Sequence, residues 1–200
     1  WHRGYDAMKE VIDSERLGAL NSIIVYQNTS LFNGSSHNFD LVLRLNGDCP
    51  VSWVQAHLPE DSRGGLSNSG DFSLLEGDRL LEDPSGHGII QFENGVTAYA
   101  LLSGRGSEFE VVCEKGVMTA IENGDTWLLR EQGPPDHRGR NAMVSGIFPH
   151  FEHASTTLAI IEDLVHSLDA GEPPRGGVRV ARASTELLFA FVESHRRGGA

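Results

Sequence analysis

Two hundred residues, 39% of them apolar, are enough for one domain with a real hydrophobic core and argue against disorder. A formal net charge of -12, from 28 acidic against 16 basic residues, makes the surface acidic. It argues against nucleic-acid binding, which needs clustered Lys and Arg. No apolar run is long enough to cross a membrane, and no basic leader with an apolar core opens the chain, so the cytoplasm is the expected compartment.

The chain opens with a helix over Tyr5 to Arg16, where Ala7, Met8, Val11 and Ile12 recur at three- and four-residue spacing and Gly18 supplies a stop. Leu20 to Gln27 reads as a strand on the β-branched run Ile23, Ile24, Val25. Asn28 to Ser36 is a polar loop. A second helix runs from Ser36 or His37 to Leu45 and ends at Asn46-Gly47. Val51 to Leu58 is a strand, and Pro59 to Asp71, rich in Gly, Ser, Asp and Asn, is a surface excursion.

From Gly88 the sequence becomes a series of hairpins. Ile89–Phe92 and Val96–Leu102 flank Asn94-Gly95, the strongest short-range hairpin signal. Phe109–Cys113 and Val117–Ile121 flank Glu114-Lys115-Gly116, and Thr126–Leu129 follows Asn123-Gly124. These strands predict an antiparallel sheet, after which Gly133 to Arg140 is a charged, Pro-rich excursion. Leu158, Ile161, Leu164, Val165 and Leu168 then mark one face of a helix that stops at Gly171. A last helix runs from Gly177 to His195 with Ala181, Leu187, Leu188, Phe191 and Val192 as core residues.

This order predicts one α+β domain over residues 1–200. An open, largely antiparallel sheet carries the helices on one face and leaves the other face for a second subunit. No Gly-x-Gly-x-x-Gly joins a strand to a helix, and Gly104-Arg105-Gly106 reads as a hairpin turn, so no Rossmann unit is expected in this chain. Cys49 and Cys113 are too few for a disulfide framework. The Asn28-Thr29-Ser30 and Asn33-Gly34-Ser35 triplets are discounted as glycosylation sites without an export signal.

Gly171-Glu172-Pro173-Pro174-Arg175-Gly176-Gly177, followed by Ala181-Arg182, Glu186-Leu187-Leu188 and Glu193-Ser194-His195-Arg196-Arg197-Gly198-Gly199, carries a recognisable signature. So do Ser35-Ser36-His37-Asn38-Phe39-Asp40 and Phe92-Glu93-Asn94-Gly95-Val96. In this order and spacing they resemble the C-terminal domain of the glucose-fructose oxidoreductase, inositol dehydrogenase and rhizopine-catabolism family, over most of the chain. The resemblance implies a parent protein with an N-terminal Rossmann domain that binds NAD or NADP. It also implies a sugar pocket and an oligomer interface built by this domain. The isolated chain is then expected to hold no cofactor and to be inactive, because the usual Glu-Lys-Pro lysine and the dinucleotide fingerprint lie in the other half. Glu114-Lys115 is followed by Gly116 and is not that lysine.

The expected chemistry centres on His37. Removing a proton from a secondary alcohol as hydride leaves suits a histidine, whose pKa lies near operating pH. Asp40, three residues on, shares its helix face and would orient the imidazole or hold a hydroxyl. By itself a His-x-x-Asp at a helix start also reads as a polar cap or surface pair. Catalytic relatives in the family carry an aspartate four residues before the histidine and a glycine two before it. Here Asn33 and Ser35 stand there, so Asn33 is a binding candidate and not a base. Asn28 and Gln27 follow the first strand and line the same pocket or cap the loop. Arg175, Arg179 and Arg182 read as salt-bridged surface groups. His57, His87, His137, His150 and His153 form no ligand set in sequence, and His150-Phe151-Glu152-His153 has the wrong spacing for a metal motif. Ser103, Ser145 and Ser155 sit in no nucleophile context. Two functions follow: substrate-side domain of a sugar, cyclitol or polyol oxidoreductase, or a noncatalytic sugar-binding or oligomerisation module.

Overall fold

A computed structural model of the chain describes residues 2–59, 75–76, 79–80 and 83–199. The Pro59–Asp71 excursion lies outside the described residues from position 60 onward. In chain order the elements are α1 (Arg3–Asp13), β1 (Leu20–Gln27), α2 (Gly34–Leu45), β2 (Val51–His57) and a short pair, β3 (Leu75–Glu76) and β4 (Arg79–Leu80). Then come β5 (His87–Phe92), β6 (Thr97–Leu102), β7 (Glu108–Cys113), β8 (Gly116–Ile121), β9 (Thr126–Pro135), β10 (Asn141–Gly146), α3 (Thr156–Ala170) and α4 (Val178–Arg196).

Eight strands form one sheet in the order β10-β9-β8-β7-β1-β6-β5-β2. Hairpins account for most of it: β5 pairs β6 across the Asn94-Gly95 turn, where Gly95 takes φ +90° and Asn94 Oδ1 accepts the Val96 N–H at 3.2 Å. The exception is β1, which inserts between β7 and β6 and pairs parallel to β6, Val25 opposite Ala100. The sheet is therefore mixed though mainly antiparallel. A parallel neighbour cannot be made by a tight turn, and here the connection is the long segment containing α2.

Two expected boundaries move. The first helix stops at Asp13, not Arg16: the Ser14 hydroxyl donates to Val11 O at 3.1 Å and Glu15 turns to φ +52°, breaking the helical run. The Pro-rich stretch after Leu129 is not simply an excursion. β9 continues to Pro135 and pairs with β10, and the turn between them is tied by the Asp136 carboxylate, which accepts from the Arg138 and Arg140 N–H groups at 2.8 and 2.9 Å. Proline is tolerated there because β9 is near the sheet's edge and its prolines lie at its end.

Alternation in β1 and in β5 through β8 divides the sheet's two faces. Ile23 and Val25, Ile90 and Phe92, Ala98 and Ala100, Phe109 and Val111, and Met118 are buried under the helices, with Met8, Val11, Phe39, Val42, Leu187, Leu188 and Phe191 packed down on them. The opposite face carries Ile24, Tyr26, Tyr99, Val112 and Val117, and exposes Trp53, Leu101, Leu128 and Met143. Helices α2 and α4 lie over the β5–β6–β1 part, where Phe39 and Phe191 meet with ring centroids 4.7 Å apart. That close approach needs Gly88. A Cβ there would lie 2.6 Å from Gln55 O and 2.9 Å from the Phe191 ring.

Helix α4 also covers the sheet's free edge. The outward N–H groups of Ala56 and Leu58 donate to Ser194 Oγ (2.9 Å) and His195 Nδ1 (3.3 Å), so β2 is not left as an open pairing template there. Among the described residues no helix is long and apolar enough to cross a membrane.

Gly88→Ala is expected to lower the unfolding free energy by about 1–3 kcal/mol, the usual cost of overpacking a filled core. Gly104→Ala, where a Cβ meets nothing within 4 Å, should stay within about 0.5 kcal/mol of the parent chain in the same urea titration.

Candidate functional site

The strands β1, β6 and β2 all point their C-terminal ends to the same side of the sheet, because β1 and β6 are parallel and β2 is two antiparallel steps from β6. The predicted site residues gather at that side. Their placement starts from Gln27, the last residue of β1, which is fully buried under α2. Its Nε2 donates to Gly86 O at 2.9 Å, while its Oε1 accepts from Ser35 Oγ at 3.0 Å and Asn38 Nδ2 at 3.3 Å. A buried carboxamide must find such partners, and by finding them it fixes the first turns of α2 on the strand end. Gln27 is thus an anchor behind the site, neither a wall of the pocket nor a loop cap.

The loop from Asn28 to Asn33 is held from its other flank. The Asp83 carboxylate accepts the N–H groups of Phe32 (2.8 Å) and Asn33 (3.0 Å), and Leu31 N–H donates to Pro84 O at 2.7 Å. Ser30 O accepts from Gly34 and Ser35. Gly34 is required, since a Cβ there would fall 1.8 Å from Thr29 Oγ1. Helix α2 therefore starts at Gly34, two residues earlier than the sequence pattern suggests.

On this frame Asn33 is exposed at the N-cap position, in helical backbone geometry, and its side chain makes no capping hydrogen bond. Its carboxamide is directed to no local backbone group, and the Ser36 hydroxyl instead ties the turn by donating to Asn33 O at 2.6 Å. His37 is exposed one turn on, and Asp40 is half-buried beside it. Burial, reinforced by the negative charge of Asp48, raises the Asp40 pKa above the ordinary carboxylate value against the pull of Arg44 and His37. Asn28 is half-buried at the loop's start. The structure thus places Asn33 and His37 on the first turn of α2 and Asp40 one turn further along it, with Asn28 in the loop that leads into the helix.

Nothing here cradles a dinucleotide phosphate. The β1–α2 turn is a strand-to-helix turn of the right general kind, but Asp83 already occupies its Phe32 and Asn33 N–H groups with negative charge, and a pyrophosphate would meet that carboxylate. Two hollows on the surface lie elsewhere, a polar one of about 260 Å³ between α1 and α3 and a shallow apolar one along α4, and neither is lined by His37. The candidate site is one wall, open to solvent.

Three histidines not grouped by sequence converge at the same side of the sheet. His57 and His87 are register partners on β2 and β5, with ring centroids 5.4 Å apart, and His195 of α4 stands 5.4 Å from His57. No single stretch contains them, so only the strand register reveals the group. Among the described residues no His, Cys, Asp or Glu cluster has the geometry to hold a metal ion. Arg175 and Arg182 are salt-bridged, to Asp6 and Glu186 respectively.

No family model matches the chain, and no curated protein sequence matches it. Solved structures do. An oxidoreductase domain protein from Kribbella flavida matches with a TM-score of 0.69 at 14% identity, over 97% of this chain and 62% of that one. Gal80p from Saccharomyces cerevisiae, in a super-repressor mutant form, matches with 0.68 at 13% identity, over 98% and 61%. An aldose-aldose oxidoreductase from Caulobacter crescentus, complexed with glycerol, matches with 0.67 at 14% identity, over 97% and 58%. At such identities the likeness establishes the fold. This chain has the fold of one part of these proteins, and it spans about three fifths of the length of the solved chains it matches.

Burial lowers the His87 pKa below 6.5, helped by the neighbouring charge of His57. Below pH 6.5 the unfolded chain then takes up a proton at this position more readily than the folded one, so His87 contributes a loss of stability as pH falls from 6.5 toward its folded value, and no contribution above 6.5. Thermal melts from neutral pH down to about pH 5.5 should show a shallower fall in Tm for His87→Gln than for the parent chain. Equal slopes would show that burial does not hold this imidazole neutral.

Proposed function

We propose that this chain is the substrate-side domain of an NAD- or NADP-dependent oxidoreductase that moves hydride between nicotinamide and a sugar, cyclitol or related polyol. The observation that carries the reading is the end of α2: an exposed His37 beside half-buried Asp40 and an uncommitted Asn33 carboxamide, held rigidly by the buried Gln27 and by Asp83. Two of the solved structures with this fold are an aldose-aldose oxidoreductase holding glycerol and an oxidoreductase from Agrobacterium radiobacter in complex with NAD+, L-tartaric acid and magnesium, which supports both the reaction type and a hydroxylated substrate.

In this reading a preceding Rossmann domain of the same protein binds the dinucleotide and presents the hydride acceptor. The part played by this chain is to form the facing wall. Asn33 and Asn28 offer amide donors and acceptors to hydroxyl groups, and His37 takes the hydroxyl proton of the carbon being oxidised. Asp40, half-buried and with its pKa raised by burial and by the charge of Asp48, orients the imidazole or holds a further hydroxyl. Because one wall cannot position a substrate, the isolated chain is inactive. The exposed Trp53, Leu101, Leu128 and Met143 on the uncovered sheet face serve the assembly of a homo-oligomer.

A second reading, a noncatalytic sugar-binding or oligomerisation module, is favoured by one specific residue: Asn33 stands where the family resemblance expects an aspartate, and an amide cannot take a proton. That a repressor shares the fold is in keeping with it.

In the longer protein, reduction of NAD or NADP across a panel of cyclitols, aldoses and sugar acids should appear as nicotinamide absorbance. His37→Ala should cut kcat by about a hundredfold or more while the dinucleotide still binds. Saturable sugar binding with no turnover in the parent protein would establish the noncatalytic reading instead.

A further inference from the structure

Four Asn-Gly pairs occur in the chain: Asn33-Gly34, Asn46-Gly47, Asn94-Gly95 and Asn123-Gly124. Such a pair carries its own chemistry. Glycine has no Cβ to hinder its neighbour, so its backbone nitrogen, once deprotonated, attacks the carbonyl carbon of the Asn side chain. A bond forms between the Gly nitrogen and Asn Cγ, and Nδ2 leaves as ammonia. Water then opens the cyclic imide at either carbonyl, giving aspartate or isoaspartate. Water is consumed, ammonia is released, and a carboxylate replaces the carboxamide. In a folded chain the reaction needs a carboxamide free to turn and a ψ that brings the next nitrogen toward it.

The fold restrains three of the pairs. Asn46 is 6% exposed, and its Oδ1 accepts from Asn94 Nδ2 at 2.9 Å, so each carboxamide holds the other. Asn94 Oδ1 also accepts the Val96 N–H at 3.2 Å, and the attacking group, Gly95 N–H, is bonded to Phe92 O at 3.1 Å. Asn123 Oδ1 accepts the Ser107 N–H at 2.9 Å. Asn46 and Asn123 have ψ of 16° and 28°, which turn the following nitrogen away from the side chain.

Asn33 differs on each count. It is exposed, and its carboxamide makes no hydrogen bond among the described residues. Its ψ of -73° lies beyond the helical value of about -42°, in the sense that swings Gly34 N toward the side chain. The Gly34 N–H shares one acceptor, Ser30 O, with the Ser35 N–H, at 3.2 and 3.0 Å. The Ser36 hydroxyl donates to Asn33 O at 2.6 Å, which polarises the Asn33–Gly34 peptide and eases deprotonation of its nitrogen. We propose that Asn33-Gly34 is a site of spontaneous deamidation, which turns the Asn33 carboxamide into a carboxylate at the start of α2.

The aspartate product suits its place. The N-cap position accepts aspartate as readily as asparagine, and the helix dipole favours negative charge there. It also puts a group able to accept a proton on the same turn as His37, where the amide accepts none. The isoaspartate product lengthens the backbone by a methylene and displaces the start of α2. The modification needs only water and stands apart from the oxidoreductase reading.

The test keeps the chain folded at neutral pH for days and follows all four pairs by peptide mapping, where acid and amide forms separate by mass. Asn33 is expected to lose its amide about tenfold or more faster than the others, the ratio that about 1.4 kcal/mol of added restraint gives. In urea the fold no longer separates the pairs, and their rates should converge. Raising the pH should speed the loss at Asn33, because the attacking nitrogen must first give up its proton. Asn33→Gln, which has to close a larger ring, should keep its amide under the same conditions. Equal rates at all the pairs in the folded chain, or acid appearing first at Asn46, Asn94 or Asn123, would overturn the proposal. So would loss of the Asn33 amide only after urea is added.

Discussion

The carboxamide of Gln27 is the interaction on which the rest of the candidate site depends. It sits at the C-terminal end of the strand that joins the two halves of the sheet, sealed beneath α2. With donor and acceptor both satisfied by groups from α2 and from the segment entering β5, it locks three elements together at one point. Leaving such a group unpaired in a core costs about 1–3 kcal/mol. That penalty makes the docking of α2 a matter of orientation as well as of apolar contact. From it follow the direction of the α2 end, the exposure of Asn33 and His37, and the position of the His57–His87–His195 group at the head of β5 and β2.

The domain exposes apolar side chains on two surfaces of different shape. The sheet's helix-covered face is closed by α2 and α4, which come close only because small residues, Gly88, Ala98 and Ala100, floor that part of the sheet. The other face presents a mixed apolar and polar surface, with Trp53, Leu101, Leu128 and Met143 exposed on it. Helix α3 presents a broad arc of exposed apolar side chains, Leu158, Ile160, Ile161, Leu164, Val165 and Leu168.

What the sequence made legible was local. The Asn94-Gly95 hairpin, the alternation in β5 through β8 and the positions of Leu187, Leu188, Phe191 and Val192 in α4 follow from short-range rules and stand in the structure, while Ala181, expected in the core of the same helix, is exposed. What it hid was non-local. The insertion of β1 between β6 and β7 leaves no mark in any one segment, because its pairing partners are about eighty residues away. β10 was missed because its residues are exposed and lack the alternation of a half-buried strand. The site divides in the same manner. Asn33, His37 and Asp40 lie within eight residues at the start and middle of one helix and are legible together. The anchor role of Gln27 was not, since a glutamine at a strand end looks alike whether it turns inward or outward. The inward turn is revealed only by Ser35, Asn38 and Gly86 meeting it, and the histidine group only by the register of β2 on β5.

The central claim is that the end of α2 forms the substrate-facing wall of a dinucleotide enzyme. A crystal structure of the longer protein with dinucleotide and a polyol bound tests it most directly. The account predicts an imidazole nitrogen of His37 within about 3.2 Å of the hydroxyl on the carbon nearest the nicotinamide, with the Asn33 carboxamide on a neighbouring hydroxyl. A polyol bound away from α2, with His37 still facing solvent, would contradict it.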